Sequence, residues 1–289
     1  MKKKIKSDLN EFFDNFFRVL KRPDMAILPG QLAFFYVLAL VPTITLISYF
    51  ASLLNLSTDV IYVFLENIFS SDVANLLLNI PSSTNTGISL IIIVVIGYYI
   101  ASNGASSIII TSNTIYGIPD TGFFNRRLKA IVMTFLIVLL FIFLLIVPIF
   151  GKTIVELVQY ADFNTQVTEK VTHIFTLLRG PISWFIIYVF IKIVYTIAPN
   201  RRIKSKSVGY GAAFTSIGWI IATYIYSFYI THYANYAAFY GSLANLVILM
   251  LWFYFLAFIF TIGIALNYRK EEQELEKTGT LKKKKKGTL

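Results

Sequence analysis

Six stretches of the chain are apolar and long enough to cross the hydrocarbon core of a membrane, which constrains the fold more than any other feature. A helix needs roughly 20 such residues to span a core of ~30 Å. The stretches are residues 28–54, 88–110, 130–150, 181–198, 208–230 and 245–267. The composition agrees, because 56% of the residues are hydrophobic and 14% are charged. We predict an all-α integral membrane protein with six transmembrane helices.

Basic residues in the connecting segments predict the orientation of these spans. Lys and Arg near span ends are retained in the cytoplasm. The N-terminal segment, the second and fourth loops and the C-terminal tail hold 22 of the 26 Lys and Arg residues. The other three loops hold three of them with six Asp and Glu residues. Both termini are therefore predicted to be cytoplasmic, and this asymmetry accounts for the formal net charge of +11 without a nucleic-acid partner.

The chain divides into three predicted parts. Residues 1–27 form a cytoplasmic amphipathic N-terminal segment, residues 28–267 the six-span membrane domain, and residues 268–289 a basic cytoplasmic tail. Two outer loops, 60–80 and 153–178, have apolar residues at helical spacing and predict amphipathic helices on the outer surface. The basic cytoplasmic segments could contact anionic lipids of the bilayer, with a solvated tail as the alternative reading.

Lys192 is the ionisable residue that falls inside a predicted span. Burying a charge in lipid costs several kcal/mol, roughly, unless the charge is paired or used. The side chain could snorkel to the cytoplasmic surface as an anchor, or it could face an internal cavity and attract anionic groups. The six spans contain no Asp, Glu or His, which argues against a proton relay built from carboxylates.

The second span ends in a polar stretch that is unusual for a lipid-facing helix. Asn103, Ser107 and Thr111 recur every four residues, and Asn113 follows. These side chains either form hydrogen bonds between helices or line a wet path for a solute. Pro42 interrupts the backbone hydrogen bonds of the first span and predicts a bend there. A transporter would bring Pro42, Asn103, Ser107, Asn113 and Lys192 to one internal cavity.

Small residues predict close helix packing in two of the spans. Gly97, Ala101 and Ala105 recur every four residues in the second span. The fifth span opens with a cluster of small residues, namely Gly209, Gly211, Ala212 and Ala213. At both places a neighbouring helix backbone could approach closely.

Catalytic and cofactor sites find little support in the sequence. The chain has no cysteine, which excludes disulfides and Cys-ligated metal sites. His173 and His232 are far apart in the chain and have no companion motif, and no phosphate-binding loop or nucleophile elbow occurs. We predict no catalytic residue, no metal and no cofactor, and therefore no enzyme. A homo-oligomer is compatible with the sequence.

Five segments of the chain carry a resemblance to a known family. They are LAFFYVLALVP (32–42), NGASSIIITSNTIYGIP (103–119) with FFNRRLKA after it, YTIAPNRRIK (195–204), GYGAAF (209–214) and YGSLANLVILMLWFYFLAFIFTIGIALN (240–267). With them the chain resembles the YihY/BrkB family of bacterial inner-membrane proteins, a family once mislabelled ribonuclease BN. The resemblance implies six spans with cytoplasmic termini, a link to the cell envelope, and a transport role for some members.

One position departs from the family pattern. The last of these segments resembles a Gly-Ala-Glu-Leu-Asn motif, but here it stands as Gly263, Ile264, Ala265, Leu266 and Asn267. Ala265 replaces the usual carboxylate, which argues against any mechanism that needs that acid.

Three functions remain open from the sequence. The first is a transporter or permease-like protein for an unidentified solute, anionic as one option, or for a lipid component. The second is a non-transporting scaffold that maintains the envelope, which predicts a densely packed bundle. The third is a membrane-associated ribonuclease, which needs a cluster of acids or histidines that the chain hardly provides.

Overall fold

The chain folds into long helices, as seen in a computed structural model that describes residues 14, 16–53, 62, 66, 88–119, 122–139, 165–232, 240 and 244–277. No strand occurs in these ranges. Helix α1 spans Asp24–Leu53, α2 Ile88–Tyr116, α4 Thr165–Ile197, α5 Gly209–His232 and α6 Ala244–Lys277. Helix α3 covers residues 123–139, and the residues that follow it lie outside the described ranges. The prediction of an all-helical chain is confirmed for the ranges described.

Three helices within the described ranges are long and apolar enough to cross a membrane. Their apolar windows are Gly180–Ile197, Gly209–Ile230 and Leu246–Gln273, in α4, α5 and α6. They coincide with the fourth, fifth and sixth predicted spans. A shorter apolar helix covers Asp24–Leu40, within α1. Helix α2 contains the second predicted span, and residues 140–150 of the third predicted span lie outside the described residues.

Helix boundaries differ from the predicted segments at several places. Residues 165–178, predicted as part of a separate outer helix, are the first turns of α4. The helix continues through Pro181, although an interior proline removes one hydrogen bond of the helix. Helix α6 likewise extends to Lys277, into the predicted tail. Residues 1–13, 153–164 and 278–289, and most of 60–80, lie outside the described residues.

Helix α6 is central among the helices described. It contacts α1, α2 and α5, while α1 packs along α2 and α4 packs along α5. Helix α3 lies beside α2, since the hydroxyl of Tyr98 donates to the carbonyl oxygen of Ile131 at 2.6 Å. Helices α1, α2 and α6 thus contact one another, α5 joins α4 to α6, and α3 lies against α2.

The small residues of the second and fifth predicted spans lie where helices approach each other. Ala101 and Ala105 are buried on α2, and a Cβ on Gly104 would lie 3.3 Å from the Cβ of Ala39 on α1. A Cβ on Gly211 would overlap the carbonyl oxygen of Gly263, so α5 and α6 can touch only through glycine at this point. The prediction of close packing by small residues is confirmed in both helices.

Candidate functional site

Helix α2 carries three buried hydroxyl groups that have no hydrogen-bond partner among the described residues. They belong to Ser107, Thr111 and Ser112, each at most 1% exposed. Ser107 and Thr111 lie one turn apart on one helix face. Ser102, by contrast, donates to the carbonyl oxygen of Tyr99 at 2.7 Å. Because a buried polar group left unpaired costs about 1–3 kcal/mol, these hydroxyls favour a further polar partner such as water or a solute.

Arg127 of α3 contacts α2 at Asn103, one turn before Ser107. Its guanidinium donates to Asn103 Oδ1 at 2.8 Å and to the carbonyl oxygen of Tyr99 at 2.7 Å. The guanidinium carbon also lies 3.5 Å from the centroid of the Tyr99 ring. All of these partners are neutral, and no carboxylate in the described ranges pairs with Arg127. The arginine is therefore held in place by neutral groups.

Lys129 lies about half a turn after Arg127 on α3, and its side chain binds the C-terminal end of α4. Its ammonium donates to the carbonyl oxygens of Ala198 and Pro199, both at 2.8 Å, and to Asn200 Oδ1 at 3.0 Å. A cation at a helix C-terminus also interacts favourably with the helix dipole. Burial lowers the pKa of Lys129 to about 8, because desolvation disfavours the charged form. Lys129 therefore joins α3 to the loop that follows α4.

The same loop is also joined to α2 and α6. The backbone N–H of Asn200 donates to Asn113 Oδ1 at 2.8 Å, at the end of α2. Arg201 forms an ion pair of 2.6 Å with Glu271 of α6, and its guanidinium lies 5.4 Å from the centroid of the Tyr116 ring. Burial is the first cause that raises the pKa of Tyr116, with the nearby Glu271 adding to it. One polar network therefore connects α2, α3, α4 and α6 at one end of the bundle.

An open pocket of about 450 Å³ lies between α3 and the end of α4. Its polar and charged lining residues are Asn125, Lys129, Thr196, Asn200, Arg201 and Arg202. Arg201 is neutralised by Glu271, whereas Lys129 contacts only neutral acceptors and Arg202 has no ion pair to any residue described. Among the residues described, the pocket therefore carries two positive charges that no carboxylate neutralises.

None of the five residues predicted to share a cavity lines this pocket. Pro42 is half-buried on α1, and a Cβ on Gly97 of α2 would lie 3.8 Å from its Cβ. Lys192 is half-buried on α4, with its ammonium 5.9 Å from the centroid of the Tyr188 ring. Neither residue is joined to the polar network by a contact among the described residues. That the five share an internal cavity stays a prediction.

The structure places the other three predicted residues along α2. Asn103 accepts a hydrogen bond from Arg127, and Asn113 accepts one from the backbone N–H of Asn200, next to the pocket. Ser107 lies between them along the helix and is buried. Asn103 and Ser107 belong to one helix face, whereas Asn113 is turned away from it by helical geometry. The polar stretch of α2 thus serves two different contacts, one with α3 and one with the loop after α4.

Sequence reasoning used Arg127, Lys129 and Arg202 only as markers of orientation and missed their part in this site. The available signal was their clustering in two short motifs, NRRLK (125–129) and PNRR (199–202). Each motif places cations next to an asparagine at a span end. That pattern favours a pocket for an anion as well as retention in the cytoplasm.

The described residues hold no group of three His, Cys, Asp or Glu side chains that could bind a metal ion. His173 and His232 are both exposed, and His232 Nδ1 lies 2.9 Å from the carbonyl oxygen of Phe228 on its own helix. The absence of an enzymatic centre in the whole chain stays a prediction.

Comparison with known proteins places the chain among bacterial membrane proteins. A family model described as virulence factor BrkB matches residues 16–288. A Bacillus subtilis protein named as ribonuclease-like, YfkH, is 30% identical over 242 residues, which cover 82% of this chain and 87% of that protein. A UPF0761 membrane protein of Glaesserella parasuis is 24% identical over 54% of this chain and 55% of its own length. One of Idiomarina loihiensis is 31% identical over 34% and 36%, respectively. No solved structure matches the chain.

Proposed function

This chain belongs to the virulence factor BrkB family, and we propose that it is a six-span, permease-like protein of the bacterial inner membrane that moves an unidentified anionic solute or lipid component. Relatives named as membrane proteins and the three apolar helices support the membrane assignment. The six-span topology with cytoplasmic termini rests on the apolar stretches and on the distribution of Lys and Arg in the sequence.

The row of buried hydroxyls on α2 is the observation that carries the proposal. A helix that only packed against its neighbours would pair Ser107, Thr111 and Ser112 with backbone or side-chain acceptors, as Ser102 is paired. The hydroxyls of Ser107 and Thr111, which share one helix face and have no partner among the described residues, instead favour a face that contacts water or a polar solute. Such a face is a typical lining for a permeation path through a membrane.

The charges near this face favour an anion. Arg127 lies at the Asn103 end of the row, and its hydrogen-bond acceptors are neutral. Lys192 and Lys129 also contact only neutral groups within the part of the chain that the structure describes. Cations of this kind raise the local concentration of anions and lower the cost of removing an anion from water.

The test is flux into sealed proteoliposomes, using a panel of inorganic anions, organic acids and labelled lipids. The comparison sets wild type against the double variant Ser107→Ala with Thr111→Val, which removes the two hydroxyls of one face and keeps their shape. Thr114→Val is the matched control, because Thr114 is exposed on the same helix and its hydroxyl donates to the carbonyl oxygen of Ile110. Lys192→Ala tests the lysine separately.

Saturable flux that the double variant loses and the Thr114 control retains would support the proposal. The double variant is expected to fold normally, since neither hydroxyl bonds to another described residue. Equal flux in wild type and in the double variant would contradict a path along this face.

A scaffold function is the second candidate, favoured by the close contact of α5 and α6 through Gly211 and Gly263. It predicts that folded protein gives no flux for any member of the panel. A ribonuclease activity follows only from the name of the Bacillus subtilis relative, and it would be detected as RNA cleavage by the purified protein.

A further inference from the structure

We propose that the basic pocket between α3 and the end of α4 binds the phosphate group of an anionic membrane phospholipid. The pocket lies at the C-terminal limit of the apolar window Gly180–Ile197. A helix that crosses the membrane reaches the headgroup region where its apolar window ends. We therefore place the pocket at the depth at which lipid phosphates occur, on the basis that α4 crosses the membrane. This inference does not depend on whether the protein transports a solute.

The charges of the pocket fit a phosphate diester. Arg202 is exposed, and its planar guanidinium has no hydrogen bond or ion pair to any described residue. A guanidinium can bind two oxygens of one phosphate with parallel hydrogen bonds. Lys129, also on the lining, contributes positive charge without a free donor, since its N–H groups already donate to the α4 end. Together the two residues provide one charge-assisted donor pair and one fixed cation.

The pocket also has an apolar approach, which distinguishes a lipid from a free anion. Ile197 lines the pocket and is exposed, and Ile193 lies exposed one turn before it on the same helix face. An acyl chain could lie against these two side chains while its phosphate occupies the basic wall. Free phosphate would use only the charged side and would leave this apolar row unused.

The volume agrees with a headgroup larger than the phosphate alone. The pocket holds about 450 Å³ and is open to the surface over much of its extent. Asn125 and Asn200 also line the pocket, so its wall is polar beyond the cations themselves. The pocket is open at the surface of the described residues, so a ligand could enter it without a rearrangement of the helices.

The experiment is a lipid titration of the full-length protein in detergent, followed by native mass spectrometry. Phosphatidylglycerol is compared with phosphatidylcholine of the same acyl chains, and inorganic phosphate is added in a separate arm. Arg202→Gln removes the free guanidinium of the pocket. Lys204→Gln is the matched control, because Lys204 is an exposed cation in the same loop that does not line the pocket.

We expect the first phosphatidylglycerol to bind more tightly than phosphatidylcholine. Arg202→Gln should weaken this binding about fivefold, as expected for one cation near a membrane surface, and Lys204→Gln should leave it unchanged. Equal weakening by both variants would mean diffuse attraction to positive charge and would overturn the proposal. Binding of inorganic phosphate without a preference for phosphatidylglycerol would also overturn it, because the site would then serve a free anion.

Discussion

The side-chain oxygen of Asn267 on α6 accepts a hydrogen bond of 2.7 Å from the backbone N–H of Gly211 on α5. Asn267 is buried, and a Cβ on Gly211 would lie 2.6 Å from its side chain and would overlap the backbone of Gly263. The backbone N–H of Gly211 belongs to the first turn of its helix, which has no helical acceptor of its own. Asn267 therefore caps α5 from a neighbouring helix, at a place that only glycine allows.

Gly211→Ala should destabilise the fold by about 1–3 kcal/mol, because the new methyl group forces α5 away from α6. The measurement is thermal unfolding of the purified protein in detergent, followed by tryptophan fluorescence. Gly30→Ala is the control, since a Cβ there would meet nothing within 4 Å and should stabilise the helix slightly. If Gly211→Ala unfolded at the same temperature as wild type, the close contact between Gly211 and Gly263 would be contradicted.

Asn113→Ala should release the loop that follows α4. The variant removes the acceptor of the Asn200 backbone N–H, whose 2.8 Å bond joins this loop to α2. Hydrogen exchange at the amide of Asn200 should become faster, by about tenfold for each ~1.4 kcal/mol of lost protection. Thr114→Ala provides the comparison, because its hydroxyl bonds only within its own helix. Unchanged exchange at Asn200 in the Asn113 variant would show that other contacts hold the loop.

The apolar helices of this chain could be predicted from the sequence, since membrane crossing leaves a continuous signal. The apolar windows of α4 and α5 coincide with predicted spans within one residue, whereas that of α6 runs on to Gln273, beyond the predicted end at residue 267. The start of α4 at Thr165 was not predicted, because residues 165–179 mix polar and apolar positions as a surface helix does. Periodicity shows that such a segment is helical, but it does not show that the helix continues into the next span.

The polar site could be predicted only in part. Asn103, Ser107 and Asn113 were identified because hydroxyls and amides are rare in a membrane helix. Their partners were not, because the bonds of Lys129 to Ala198 and Asn200 join positions 69 to 71 residues apart in the sequence. Contacts of this range depend on how whole helices are placed. The charge of Lys129 alone indicated orientation and carried no information about its acceptors.

Ala265→Glu should destabilise the protein strongly, although it restores the acid of the family pattern that this chain resembles. Ala265 is fully buried in α6, within the apolar core. A carboxylate there would be removed from water, at a cost of several kcal/mol, about 3–5 if it finds no cationic partner. Ala265→Gln has nearly the same volume without the charge, so the difference between the two variants isolates the electrostatic part. Equal unfolding temperatures for both would indicate that the acid finds a partner in this bundle.

Lys129 should make stability depend on pH in the alkaline range. Its pKa is lowered to about 8 in the folded protein, against 10.5 for an ordinary lysine. Below pH 8 both states are protonated, and the cost of burying the ammonium is fully present. Between pH 8 and 10.5 the unfolded state binds more protons than the folded state, so the stability contributed by Lys129 rises with pH.

Thermal unfolding of wild type and Lys129→Gln, measured from neutral pH to pH 10.5, checks this sign. The variant should be less stable throughout, because it cannot reproduce the bonds of the ammonium to Ala198 and Pro199. The gap between the two proteins should widen as the pH rises above about 8, since only wild type gains from losing the buried charge. Lys204→Gln removes an exposed lysine, and its unfolding temperature should change with pH in the same way as that of wild type. The difference in stability between wild type and Lys129→Gln could instead become smaller as the pH rises. That result would mean that the α4 end stabilises the ammonium more than burial disfavours it.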